Sequence, residues 1–268
     1  MNTKFKLPYI FSWIVLAGMV LISVGGLLLP EVYQDNEHIR NVWRVNDWVT
    51  LVLAAPILAV ALVVYKKTAS IKALLIWFSL IWYTVYNYMY YLFGAHFNAF
   101  FLGYVTLFTL ALIVLMLGLP HLPIQQIKSS LHPKLPLTPI NIYMLFIALS
   151  LSVAYIAQSV AFIFTGEHPP IVPISGHVTS VVFAIDFPFV VAFFIMAAIL
   201  LWKKNPWGYV MAVMLNLKGA IYMVTLSVAS FQAGSDEAPL WVFIGVFSTV
   251  LTVMLLKLGA AGTDYEAA

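Results

Sequence analysis

Long apolar runs separated by short polar segments dominate the chain. Eight runs hold about 20 residues each, which is the length that crosses a hydrocarbon core about 30 Å thick. The connections are short except for 30–46, 120–139 and 165–177, and none is long enough to hold a soluble domain. The pattern predicts an all-α, polytopic transmembrane helix bundle that forms a single domain over residues 1–268. The predicted spans are 8–29, 47–65, 71–93, 97–119, 140–164, 178–202, 207–231 and 238–258.

The composition fits a membrane protein and excludes several kinds of site. Of the 268 residues, 63% are hydrophobic and 9% are charged, whereas a soluble domain carries about 25% charged residues. The chain has no cysteine, which excludes disulfides, thiolate metal sites, iron–sulfur clusters and cysteine nucleophiles. The expected surroundings are therefore a lipid bilayer.

The lysines indicate the orientation of the spans. Ten of the eleven fall at the span ends that an eight-span arrangement places on one side, which the positive-inside rule makes cytoplasmic. Both termini are then expected on the cytoplasmic side. Because the net charge of +3 is explained by these short basic loops, we expect no nucleic-acid partner. The ten residues are Lys4, Lys6, Lys66, Lys67, Lys72, Lys128, Lys134, Lys203, Lys204 and Lys257.

Two charged residues lie well inside predicted spans, away from the span ends, where charges are costly and usually face the interior of the bundle. Asp186, in "FAIDFPF", lies roughly 13 Å from the outer end of its span, and Lys218, in "MLNLKGAIYM", roughly 18 Å from the outer end of the next. An extended lysine side chain covers that difference in depth, so an ion pair is possible. Pro188 predicts a kink beside Asp186, because proline frees a carbonyl about four residues earlier.

Polar side chains of other spans lie at similar depth. Tyr83, Asn87 and Tyr90 share one face of the third predicted span, and Tyr86 lies beside them. Such groups often only join helices by hydrogen bonds, but if these faces converge they form a polar pocket that opens outward. The predicted ligand-binding residues are Asp186, Lys218, Tyr222, Asn87, Gln158, Tyr83 and Tyr90.

Catalytic and cofactor sites are poorly supported by the sequence. None of the six histidines is paired at helical spacing or lies within a span, so neither a haem nor a metal site is expected. A site on the outer face formed by His96, His177 and Asp47 is conceivable. A buried lysine with a carboxylate is also what a retinal Schiff base requires, but Lys218 lies in no rhodopsin motif. We therefore expect no catalytic residue, no metal and no cofactor.

An internal duplication is one further interpretation. The series Asp47, Pro56 and the Lys66 pair is followed by span 3, and the series Asp186, Pro188 and the Lys203 pair is followed by span 7. Duplicated halves are common in transporters. The spacings of the two series differ by several residues, however.

Three stretches carry a resemblance to known sequences. The segments "YNYMYYLFGAHFNAFFLGYV", "AIDFPFVVAFFIMAAILLWKKNPWGYV" and "LKGAIY" resemble uncharacterised multi-span membrane proteins of bacteria. The resemblance implies a bacterial inner-membrane location and no particular activity.

Three classes of function are left by the sequence. The first is a protein that binds or transports a small polar or amphiphilic molecule in the pocket. The others are a structural or assembly subunit, in which the charge pair only locks helices together, and a membrane-embedded enzyme.

Overall fold

The computed structural model describes residues 3–132 and 135–258, so Lys134 lies outside the described residues. Every regular element of this part of the chain is a helix, which confirms the all-helical fold class. The principal helices are α1 (Lys6–Leu28), α2 (Glu37–Val49), α3 (Ala55–Thr68), α4 (Ile71–Gly94), α5 (Phe101–Gly118), α6 (Ile124–Ser130), α7 (Leu137–Thr165), α8 (Ile171–Ser175), α9 (Val181–Asp186), α10 (Ala192–Trp202), α11 (Pro206–Gln232) and α12 (Ala238–Leu258). Short 3-10 helices cover Thr3–Phe5, Pro30–Val32 and Leu119–His121.

Seven helical segments are long and apolar enough to cross a membrane. The remaining predicted span, 71–93, forms α4, which has 24 residues and therefore sufficient length. Its many tyrosine and tryptophan residues and Asn87 lower its hydropathy below that of the other seven. The seven segments are Thr3–Leu28, Glu37–Thr68, Phe101–His121, Leu137–Thr165, Val181–Trp202, Pro206–Gln232 and Ala238–Lys257.

Several helix ends differ from the predicted bounds because of local capping. The helix that contains span 2 begins at Glu37, ten residues before the predicted start, and the Asn36 side chain accepts a hydrogen bond from the Ile39 amide at its first turn. The helix predicted from 97 begins at Phe101, because the Asn98 side chain accepts the Phe100 amide in a preceding turn. Apolar composition marks the lipid-spanning part of a helix but not its polar extension.

Two of the long helices are interrupted by a π-helical turn. Thr50–Ala54 joins α2 to α3, and Phe187–Val191 joins α9 to α10. Each turn has a proline close by, Pro56 in the first case and Pro188 in the second. Proline lacks the amide hydrogen that a regular helix needs, and π turns of this kind recur at functional sites.

The helix α4 lies at the centre of the bundle. Of its 24 residues, 20 are buried, and it packs against α3, α5, α9 and α11. The helix α11 is also largely buried and contacts α2, α4, α10 and α12. The polar residues of α4 and α11 are therefore enclosed by protein on most sides.

Candidate functional site

Asp186 is the last residue of α9 and directly precedes a π-helical turn. The Ser180 side chain accepts the Phe183 amide and fixes the start of this short helix. Pro188 then follows in the π turn, so the sequence predicted an irregular backbone at the right place. The Asp186 side chain is buried, with 7% of the residue exposed.

Three tyrosine hydroxyls donate hydrogen bonds to the Asp186 carboxylate. Tyr86 and Tyr90, one turn apart on α4, donate to Oδ1 over 2.6 and 3.1 Å, and Tyr155 of α7 donates to Oδ2 over 2.7 Å. A carboxylate that accepts several donors is satisfied without a cation. The carboxylate thus joins α4, α7 and α9.

Lys218 of α11 reaches the same place through an aromatic ring. Its Nζ lies 3.3 Å from the centroid of the Tyr86 ring and 5.7 Å from that of Tyr222. No carboxylate oxygen of the described residues lies within 4.0 Å of this Nζ. The direct partner of the ammonium is therefore the Tyr86 ring, whose hydroxyl in turn donates to Asp186.

The energetics of Lys218 are unfavourable in this arrangement. Only 4% of the residue is exposed, and taking an ammonium out of water costs several kcal/mol. A desolvated cation–π contact returns about 2 kcal/mol. No hydrogen-bond acceptor for its Nζ occurs among residues 3–132 and 135–258, so part of the burial cost is not compensated by protein groups.

The structure brings together four of the seven predicted ligand-binding residues. The Tyr222 ring packs edge-on against Tyr86 at 5.0 Å and is stacked with Tyr90 at 5.9 Å. Asp186, Lys218, Tyr90 and Tyr222, together with Tyr86, are referred to below as the Asp186 centre. Three aromatic rings and the two charges form it.

The other three predicted residues are placed differently. Tyr83 contacts Thr50 and Asn46 through its hydroxyl, over 3.3 and 3.5 Å, and so belongs to a second group of polar residues. Gln158 is half-buried and donates its amide to the Ala154 carbonyl of its own helix. Asn87 is buried, and its Nδ2 has no hydrogen-bond partner among the described residues.

Tyr155 is the residue of the Asp186 centre that the sequence interpretation missed. It lies three residues before Gln158 on α7, and 15 Å from the helix end at Thr165 by a rise of ~1.5 Å per residue. That depth is close to the one inferred for Asp186. Counting depths along the predicted span of α7 would therefore have identified Tyr155 as a candidate partner of Asp186.

A second buried carboxylate, Asp47, lies on the other broken helix. It accepts hydrogen bonds from Tyr33 over 2.5 Å and from Tyr91 over 3.1 Å, and 1% of the residue is exposed. Burial, and then the Asp47 charge, raise the pKa of the Tyr33 phenol, so this group remains a donor. Gly26 of α1 is in close contact with both side chains, since a Cβ there would overlap Asp47 Oδ2 and Tyr33 Oη. We call Asp47, Tyr33 and Tyr91 the Asp47 centre.

The Asp47 centre extends to α11 through Asn46. The Asn46 Nδ2 donates to the Tyr91 hydroxyl over 2.9 Å, and its Oδ1 accepts from Thr225 over 3.4 Å. Sequence reasoning assigned Asp47 only to the outer face. Its tyrosine partners come from a loop and from α4, which is a tertiary contact without a local sequence signal.

The conceivable metal site of His96, His177 and Asp47 is not assembled. Asp47 is enclosed by tyrosines, the His96 imidazole contacts Asp35 over 3.2 Å, and the His177 Nε2 is bonded to the Gly94 carbonyl. The described residues contain no group of three or more potential ligands of this kind. His96 and His177 instead line a shallow cavity of about 230 Å³ between the Gly94 end of α4 and Val181 of α9.

This cavity lies close to the Asp186 centre. Val181 precedes Asp186 by five residues on α9, which corresponds to about 7 Å along the helix, and Gly94 follows Tyr90 by one turn on α4. The cavity and the centre are therefore bounded by the same two helices. Comparison with known proteins adds no relative: no family model, no curated protein and no solved structure matches the chain.

Proposed function

We propose that the chain is a bacterial inner-membrane protein that binds a small polar or amphiphilic molecule at the Asp186 centre. In this proposal all eight long helical segments cross the bilayer, α4 included, with both termini on the cytoplasmic side. The lysine distribution supports that orientation. Transport, linked to proton binding at Asp186, is one use of such a centre, and sensing is another.

One observation carries the binding proposal: a buried ammonium that has no acceptor among the described protein groups, placed beside a carboxylate that three hydroxyls already satisfy. Charged groups inside a membrane bundle are costly and tend to mark binding or conduction sites. A purely structural lysine would be expected to have a protein acceptor. We therefore assign Lys218 to ligand binding.

The cavity beside His96 and His177 supports an access route from the outer side. It begins at the end of α4 that the proposed topology places outside, and it is separated from Asp186 by little more than one helical turn. A molecule that reaches Lys218 would pass between α4 and α9. The two imidazoles and the Gly94 carbonyl supply polar groups at its mouth.

Binding is tested by a thermal-stability screen of the detergent-purified chain with small polar and amphiphilic compounds. Compounds that bind the native state raise its melting temperature. We expect Asp186→Asn and Lys218→Met to abolish the response to the active compounds and to leave the fold intact. The proposal fails if both variants fold and respond as the parent chain does.

The structural-subunit hypothesis is the second candidate, and the Tyr86, Tyr90 and Tyr155 contacts favour it, since they tie three helices to one carboxylate. Under it, Asp186→Asn and Lys218→Met would each destabilise strongly, and a double change to apolar residues would recover stability. Measuring the single and double variants by thermal unfolding distinguishes the two candidates.

The proposed topology has a direct test because the chain has no native cysteine. A single cysteine at the exposed Thr179 should react with a membrane-impermeant maleimide added to intact cells. A cysteine at the exposed Lys203 should react only after permeabilisation. The reverse labelling pattern would contradict the orientation.

A further inference from the structure

We infer that the molecule bound at the Asp186 centre carries a carboxylate, which pairs with Lys218. The inference rests on the proposed binding function and narrows it to one class of ligand. Around the centre, the tyrosine hydroxyls and the Asp186 carboxylate are matched to each other, whereas the Lys218 ammonium has no acceptor among the described residues.

The donors of the tyrosines are already used. Tyr86, Tyr90 and Tyr155 each have one hydroxyl hydrogen, and each directs it to Asp186. Oδ1 accepts two hydrogen bonds and Oδ2 accepts one, so the carboxylate is close to its full capacity. A ligand amine would therefore find little acceptor capacity on Asp186.

The unmatched polar group of the centre is a donor. Lys218 Nζ carries three N–H groups, and its recorded contacts among the described residues are with the rings of Tyr86 and Tyr222. This group calls for an acceptor on the ligand.

Charge decides between an anionic and a neutral acceptor. Opposite charges attract more strongly in a buried site than in water, because the effective dielectric constant there is lower. A ligand carboxylate at hydrogen-bonding distance would be closer to Nζ than the Asp186 carboxylate, whose oxygens lie more than 4.0 Å from it. A neutral acceptor on the ligand would gain no such attraction between opposite charges.

The aromatic rings indicate what surrounds the carboxylate. Tyr86, Tyr90 and Tyr222 have ring centroids 5.0–5.9 Å apart, and the rings of Tyr86 and Tyr222 lie beside the ammonium. A planar or apolar body bearing one carboxylate complements both features. Benzoate is therefore a suitable probe, with benzamide and benzylamine as its neutral and cationic counterparts.

The experiment measures thermal unfolding of the full-length chain in detergent with each probe at equal ionic strength. We expect a saturating concentration of benzoate to raise the melting temperature by about 2–4 °C, and the two counterparts to leave it unchanged. The benzoate effect should vanish in Lys218→Met. It should persist in two matched controls: Lys257→Met at an exposed lysine, and Asn216→Leu at a buried asparagine whose amide bonds Ala212.

Three results would overturn the carboxylate inference. The first is stabilisation by benzamide or benzylamine in place of benzoate, which would leave the proposed binding function standing. The second is a benzoate effect that Lys218→Met retains. The third is no benzoate effect at all, and the broader compound screen then decides whether the binding function fails with it.

Discussion

Two buried aspartates, Asp47 and Asp186, occupy corresponding places on the two broken helices. Each lies before or beside a π-helical turn with a proline nearby, and 19 and 17 residues separate them from Lys66 and Lys203. The central helix α4 donates to both, from the consecutive residues Tyr91 and Tyr90. The echo noted between the two halves of the sequence thus has a counterpart in the contacts.

The two centres differ in what lies beside the carboxylate. Asp47 is held by two tyrosine hydroxyls, with Gly26 in close contact and no described cation within 4.0 Å. Asp186 is held by three hydroxyls, and Lys218 Nζ lies over the ring of one of the donors, Tyr86. Because hydroxyls hold the Asp47 side chain without a described cation nearby, we expect that Asp186 does not require Lys218 as a structural counter-ion.

The largest expected effect follows from closing the space beside Asp47. In Gly26→Ala the new methyl group would overlap Asp47 Oδ2 and Tyr33 Oη, so we expect a loss of about 3 kcal/mol in the free energy of unfolding from overpacking and broken hydrogen bonds. Gly219→Ala, whose methyl group would lie 3.2 Å from Ser248 Oγ and so overlap it far less, should lose less than about 1 kcal/mol. Thermal unfolding in detergent compares the two, and equal losses would contradict a tightly packed Asp47 centre.

Neutralising each aspartate tests the division of roles. Asp47→Asn and Asp186→Asn each replace one carboxylate oxygen by an amide nitrogen, which donates and cannot accept from a hydroxyl, so we expect each to lose about 2 kcal/mol of stability. Only Asp186→Asn should alter the response to ligands in the compound screen. If Asp47→Asn reduces the response to ligands as much as Asp186→Asn does, the two centres do not differ in ligand binding.

Replacing Lys218 should stabilise the protein, whereas the glycine and aspartate replacements should destabilise it. Because the burial cost of the Lys218 ammonium exceeds the cation–π return, Lys218→Met should raise the free energy of unfolding by about 1–2 kcal/mol. Lys257→Met serves as the control and should change it by less than about 0.5 kcal/mol. A strong destabilisation by Lys218→Met, measured by thermal unfolding without ligand, would show that the lysine holds the helices together.

The smallest effects come from single hydroxyls on adjacent residues. Tyr90→Phe leaves Asp186 with two donors, whereas Tyr91→Phe leaves Asp47 with one and also removes the acceptor of Asn46 Nδ2. We expect losses of about 0.5 and 1.5 kcal/mol respectively. The same unfolding measurement compares them, and the reverse order would mean that the third hydroxyl at Asp186 matters more than its geometry indicates.

The parts of the molecule that depend on local patterns could be predicted from the sequence. Apolar runs of sufficient length located the long helices, and depth counting brought Asp186, Lys218 and Tyr222 to one place. The helix containing Asp47 begins at Glu37, ten residues before the predicted span, because its first turns are polar and Asn36 caps them. Hydropathy carries no information about such an extension.

Tertiary contacts account for the remaining differences. Tyr83 and Tyr90 share a face of α4, yet Tyr83 contacts residues near the first π turn and Tyr90 contacts the end of α9. A helix of 24 residues meets different neighbours along its length, so a shared face does not imply a shared site. The contact of Lys218 with the Tyr86 ring could not be predicted by counting depths either. Such a count compares positions along the helices but does not show which side chain lies between two residues.

The enclosed position of α4 has a consequence for the synthesis of the protein. A segment rich in tyrosine, with Asn87 near its middle, gains little by partitioning alone into lipid. We expect α4 to enter the bilayer only when α3 and α5 are present to cover it. Insertion of this helix would then depend on its neighbours in the chain, and truncation after Gly94 should leave it outside the membrane.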